Sequence, residues 1–139
     1  MKCIRPFLQF PGNCEEAFLF YQKVFGGKLE SIIRYREVDP CNWMDKVEGE
    51  KIMHIQLAVN ENTVLYGADI PNIKGNDQMQ RVILDVTADS LFEATKMFWL
   101  LSLDGIVALP FEKSSPGEYL GMVYDRFGIA WMVEFEEFH

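Results

Sequence analysis

One stretch limits what this chain can fold into more than any other: IRPFLQFPGNCEEAFLFYQKVFGGKL, residues 4–29. It reads as a strand, a capped amphipathic helix and the start of a second strand. Asn13 is a favoured N-cap residue, and Glu16 stands three positions on, the spacing of a capping box. Ala17, Phe20, Tyr21, Val24 and Phe25 recur with helical period and make one apolar stripe. Gly26 and Gly27 end the helix, because glycine enters the left-handed region without steric cost. The strand must lay its own apolar face on that stripe, so the stretch predicts one packed half of the protein.

The rest of the chain repeats this order of elements. Residues 28–38 are β-rich, and 39–50 (DPCNWMDKVEGE) read as a loop whose Trp43 and Met44 need burying, by capping a pocket, by a dimer contact or by folding back on the core. Residues 51–59 alternate as a strand, with Ile55, Leu57 and Val59 on one face and His54, Gln56 and Ala58 on the other. Asn60-Glu61-Asn62 turns the chain into a hairpin partner at 63–69. Residues 70–78 are polar and turn-rich, a natural linker. Then come a strand at 79–87 and a helix capped by Ser90 with Glu93 at capping-box spacing. That helix carries the stripe Ala94, Met97, Phe98 and Leu101 and is closed by Gly105. Strands follow at 106–112, 118–124 and 129–135. The expected fold is α+β, a single domain of two β-α-β-β-β modules, about 1–70 and 79–139, forming a curved mixed sheet around a cleft. Helices cover one face of each sheet. Pro6, Leu8, His54, Gln56, Leu65, Arg81, Ile83, Asp85, Met132 and Glu134 are expected on the cleft face.

Composition narrows the partners. A formal charge of −8 over 139 residues argues against a broad phosphate-binding surface, so no nucleic acid is expected. No apolar run approaches the length that spans a bilayer, and no membrane partner is expected. The N-terminus enters a strand pattern directly, without the n- and h-regions of a signal peptide. Cys3, Cys14 and Cys41 are odd in number and lack C-x-x-C spacing, which predicts the reducing cytoplasm and no disulfide framework. Cys14 lies in a first helical turn, where a dipole can activate a thiol; the plainer reading is a small buried side chain.

The order of elements resembles the vicinal oxygen chelate superfamily, which contains glyoxalase I, bleomycin-resistance proteins and extradiol dioxygenases. More closely, several segments together are similar to its PhnB-like branch: Pro6-Phe7-Leu8-Gln9-Phe10, Gly12 to Ala17, Phe20-Tyr21, Val24 to Gly27, Lys51 to His54, Gly67-Ala68-Asp69, Gly121-Met122-Val123, Asp125-Arg126-Phe127-Gly128 and Trp131-Met132. That branch is often labelled as resembling a demethylubiquinone methyltransferase. The resemblance implies four metal-ligand positions, which here hold Pro6, Leu65, Arg81 and Met132. None is a usable ligand for a hard or borderline divalent ion, so no metal or other cofactor is expected there. Methyl transfer needs a glycine-rich turn after a first strand, whereas Gly26-Gly27 follows a helix.

Candidate ligand-binding residues are His54, Gln56, Leu65, Asp69, Arg81, Asp85, Met132 and Glu134. His54 can act as a base or orienting donor, or serve as a structural histidine; the other histidine, His139, is terminal. Arg81 and Asp85 share a strand face, where Arg81 can hold a carboxylate or phosphonate or pair with Asp85. Asp69 can reach a rim ligand or simply end its strand. Glu134 can be a base or belong to an acidic tail with Glu136 and Glu137. The leading reading is a homodimer that binds a small, partly apolar molecule without the usual metal. Its rivals are a metal-dependent lyase, isomerase or dioxygenase with displaced ligands, drawn from His54, Glu134 and Asp69, and a dimeric interaction module contacting through Trp43.

Overall fold

The structure, a computed structural model, describes residues 5–38, 46–70 and 82–137. Trp43, Met44, Cys3, Cys41, Arg81, His139 and most of the expected linker lie outside the described residues. The chain forms two compact units, Met1–Gln78 and Met79–His139.

In the first unit the elements run β1 (Phe7–Phe10), α1 (Cys14–Phe25), β2 (Lys28–Arg34), a 3-10 turn (Tyr35–Val38), a short α2 (Lys46–Glu50), β3 (Ile52–Ala58) and β4 (Val64–Asp69). The second contains β5 (Leu84–Thr87), α3 (Leu91–Ser102), β6 (Ile106–Ser115), β7 (Glu118–Tyr124) and β8 (Ala130–Glu136). Each unit has one four-stranded mixed sheet, ordered β1-β4-β3-β2 and β5-β8-β7-β6. The outer pairs β1–β4 and β5–β8 are parallel, and all other pairs are antiparallel. This is the α+β, twice-repeated β-α-β-β-β order that the sequence implies. The chain expected to be strand through residue 38 instead leaves β2 at Arg34, and part of the expected loop is the short α2.

Each helix lies on one face of its sheet, and a glycine marks where it presses closest. A Cβ at Gly67 on β4 would overlap Phe18 of α1, reaching 2.7 Å from its Cζ. A Cβ at Gly121 on β7 would stand 2.7 Å from Phe98 Cε2 of α3. Phe18 was not part of the expected stripe, yet it is fully buried with Cys14, Ala17 and Tyr21, while Val24 and Phe25 are only half-buried. The buried stripe is therefore rotated toward Phe18, which meets Phe10 edge-on with centroids 6.1 Å apart. In α3 the expected Ala94, Phe98 and Leu101 are buried, and Ser90 Oγ accepts from the Glu93 amide at 3.0 Å. Asp104, not Gly105, takes the left-handed conformation after that helix (φ 58°).

The glycine contacts orient every strand, since side chains alternate between faces. Leu8, Phe10, Ile55, Leu57, Leu65, Gly67 and Asp69 face α1, in register with one another. Phe7, Gln9, His54, Gln56, Tyr66 and Ala68 occupy the far face. In the second sheet Leu84, Val86, Gly121, Val123, Trp131 and Val133 face α3, and Asp85, Thr87, Leu120, Met122, Met132 and Glu134 occupy the far face.

Gly67→Ala is expected to destabilise the chain by about 1–3 kcal/mol through overpacking against Phe18, read as a lowered urea midpoint. Adding Phe18→Leu should recover part of that loss, because the two residues share one contact. Equal, additive losses would place the strain elsewhere.

Candidate functional site

Two far faces carry the candidate side chains, and a buried carboxylate between strand and helix accounts for one candidate that does not reach them. Asp69 ends β4 on the helix side and is 2 % exposed. Its Oδ1 accepts from the Cys14 amide and its Oδ2 from the Ile52 amide, both at 2.9 Å. Its carbonyl oxygen accepts from the Tyr35 hydroxyl at 2.7 Å. The first free N–H of α1 is thus satisfied from a strand 55 residues away in sequence. Asn13 does not cap as its type suggests: its side chain makes no capping bond, and its buried Oδ1 has no hydrogen-bond partner among the described residues. Asp69 is therefore corrected from a rim ligand to a structural carboxylate. Burial first, then the charges of Asp69 and Glu15, push the Cys14 thiol well above its ordinary range. That removes the reactive-thiol reading, since the thiolate is the nucleophile.

Leu65 and Leu8 also leave the expected face. Leu65 pairs with Leu57, is buried against α1 and offers nothing to a ligand on the far side. Its neighbour Tyr66 takes that position. The residue that could have revealed this from sequence is Gly67: a glycine inside a strand marks a close backbone approach, here to the helix.

On the far face of the first sheet, His54 packs its ring against Tyr66, with centroids 5.5 Å apart. Arg5 donates from Nη1 to the Tyr66 hydroxyl, and its guanidinium carbon lies 5.2 Å from the Tyr66 ring centroid. Gln56 Nε2 donates to Glu30 Oε2 at 3.4 Å. Arg5 and Tyr66 were not among the sequence candidates. Around the edge of α1, Arg34 grips Glu15 with two parallel bonds of 3.1 and 2.9 Å and donates to the Glu50 carbonyl at 2.8 Å. The Arg34 hydrogen bond holds the Glu15 carboxyl below its ordinary value.

On the far face of the second sheet, Asp85 stands beside Met132, and Glu134 beside Thr87 and Leu120. Glu134 is pushed up to about 7 by its hydrogen bond with Asp85, then by burial and the charges of Asp85, Glu136 and Glu118. A neighbouring carboxylate favours the protonated form of Glu134, because two like charges resist sharing one site. Met122 faces Met132 across β7 and β8, so a row of thioether and leucine surface adjoins the acid pair. Ile83 precedes β5 and is exposed.

Among the described acids, Asp125 is second in burial only to Asp69. It accepts from the Phe127 and Ile129 amides at 2.8 and 3.0 Å and from Trp131 Nε1 at 2.8 Å. The Asp-Arg-Phe-Gly turn is a built structural joint.

Sheets of this order give the chain the fold of solved glyoxalase-related proteins. A glyoxalase/bleomycin resistance protein/dioxygenase from Nocardioides shares the fold at 14% identity and TM-score 0.58, covering 98% of this chain and 85% of that one. The family model described as 3-demethylubiquinone-9 3-methyltransferase matches residues 2–134, and the chain belongs to that family. Protein PA1353 from Pseudomonas aeruginosa is similar at 32% identity and TM-score 0.82 over 98% of both chains. A structure titled putative 3-demethylubiquinone-9 3-methyltransferase, PhnB protein, from Bacillus cereus is similar at 24% identity and TM-score 0.79, covering 96% of this chain and 99% of that one.

The residues fit neither group that these names imply. A nucleotide-type methyl donor needs free helix-start amides after a glycine-rich turn. Here Asp69 occupies the start of α1 and Ser90 the start of α3. A divalent metal fares no better. Pro6 and Met132 lack an oxygen or imidazole donor, Leu65 faces α1, and no three His, Cys, Asp or Glu side chains are grouped to hold an ion among the described residues.

Asp69→Asn should cost about 2–3 kcal/mol in chemical denaturation, because an amide nitrogen would confront a buried N–H donor. A neutral result would return Asp69 to the ligand candidates. The sign for Glu134 is opposite to that of an ion-paired acid. Its folded value lies above the ordinary 4.5, so its stabilising contribution is full below that value and lost as pH rises through about 7. Relative to Glu134→Gln, the unsubstituted chain should lose melting temperature between about pH 5 and pH 8. Parallel melting curves would mean that Glu134 is not raised.

Proposed function

We propose that this chain binds a small, partly apolar molecule on the far face of its second sheet, without a tightly held metal ion. The observation that carries this reading is the row of Leu120, Met122 and Met132 on the same face as Asp85 and Glu134. Methionine adapts to apolar shapes, and a protonated Glu134 beside Asp85 supplies a donor as well as acceptors for the ligand's polar end. The metal-dependent rival keeps His54 and Glu134 but loses Asp69 to the start of α1.

We propose further that the chain acts as a homodimer. Phe92 and Trp99 lie seven residues apart on α3 and are 79% and 61% exposed, and Ile106 at the start of β6 is 70% exposed. Large apolar side chains left on one helix face favour a second apolar surface. The odd number of cysteines in the sequence, with Cys14 free and buried, supports a cytoplasmic setting. No helix among the described residues is long and apolar enough to cross a membrane.

The test is metal analysis of protein purified without chelator or affinity tag, followed by thermal shift against a panel of small amphiphilic compounds with and without EDTA. Binding insensitive to EDTA, and weakened roughly tenfold by Met122→Ser with Met132→Ser, is expected. A stoichiometric divalent metal whose removal abolishes binding would overturn the proposal. Trp99→Glu should yield a monomer by light scattering if α3 forms the dimer contact.

A further inference from the structure

We propose that Arg5, Tyr66 and His54 form a carboxylate-binding subsite on the far face of the first sheet, suited to a small acid with an apolar body. This deepens the preceding reading by naming a ligand class, and rests on it only in treating a far sheet face as a binding surface.

The parallel pairing of β1 with β4 brings the residues together. The Tyr66 amide donates to the Pro6 carbonyl at 3.1 Å, and Phe7 is in register with Tyr66. Arg5 therefore arrives beside the Tyr66 ring, and its contact with the hydroxyl orients the guanidinium through Nη1 alone. Its remaining N–H groups have no partner, and it makes no ion pair, among the described residues. This differs from Arg34, whose guanidinium is spent on Glu15 and Glu50. An oriented, uncommitted guanidinium presents the planar fork that matches a carboxylate with two parallel bonds. His54 adds a ring N–H in any protonation state. Phe7, half exposed on the same face, and Ile33, in register with His54, supply apolar surface for the body of the acid. Glu30 lies on the same face and accepts from Gln56, so its charge turns an anion away from that edge and toward Arg5. A single fixed cation in a chain of charge −8 favours a monoanion over a phosphate dianion.

The experiment is titration of the full ¹⁵N-labelled chain with benzoate, with its neutral isostere benzamide and with inorganic phosphate. Expected are shifts centred on Tyr66, His54 and Gln56 with benzoate, and binding at least about tenfold weaker for benzamide. Arg5→Gln should erase that difference with no change in melting temperature, since Arg5 is exposed. Arg5→Lys should restore only part of it, because the fork is lost. Tyr66→Phe should weaken benzoate severalfold through the loss of the orienting hydroxyl. Equal affinity for benzoate and benzamide, benzoate affinity unchanged in Arg5→Gln, phosphate binding tighter than benzoate, or no benzoate binding would each overturn the subsite. Retained binding of uncharged compounds, sensitive to Met122 and Met132, would leave the second-sheet proposal standing in any of those cases.

Discussion

The first unit depends on one buried carboxylate. Asp69 sits at the end of β4, and its two oxygens fix the first amide of α1 and the first amide of β3. A helix start left with free N–H groups in a dry interior costs about as much as a lost hydrogen bond for each group. Asp69 removes that cost and sets how α1 lies on the sheet. Tyr35 adds a third tie through the Asp69 carbonyl, so the end of β2 is held to the same point. With the helix fixed there, Phe18 descends onto Gly67, and the alternation of every strand is decided. The second unit uses a different joint, in which Asp125 gathers its own turn amides and the Trp131 indole.

The same order of strands therefore yields two far faces of opposite chemistry. The first carries an arginine, a tyrosine and a histidine around aromatic and aliphatic surface. The second carries methionines and a Glu134 held above its ordinary range by Asp85. Among the described residues, neither face groups three His, Cys, Asp or Glu side chains that could hold a metal ion. Each does combine apolar area with a few directed polar groups, the general make-up of a small-molecule surface.

The elements were legible because helix and strand periods are local. Ser90 capped its helix as its spacing with Glu93 implied, and Ile55 and Leu57 turned inward opposite His54 and Gln56. Errors arose where a single residue of register mattered. Leu65 and Tyr66 are both plausible on a cleft face, and period-two alternation flips the whole strand with a one-residue shift. Residues 7–10 read FLQF, apolar on both faces, so Leu8 was equally ambiguous. Phe18 was missed because a broad helical stripe does not say which of its flanks meets the sheet. Asn13 looked like a cap because residue type records a preference, while the actual acceptor came from a distant strand.

By itself the sequence determined the strand and helix order, the Ser90 cap and the lack of usable metal donors in the side chains at Pro6, Leu65 and Met132. These follow from side-chain type and local period, which act within a few residues. Tertiary structure alone decided that Asp69 is a buried tie, that Cys14 is inert, that Arg5 reaches Tyr66 and that Asp85 pushes Glu134 above its ordinary range. Each of those depends on groups brought together across strands that are far apart in sequence, where pairing register, not residue type, selects the partner.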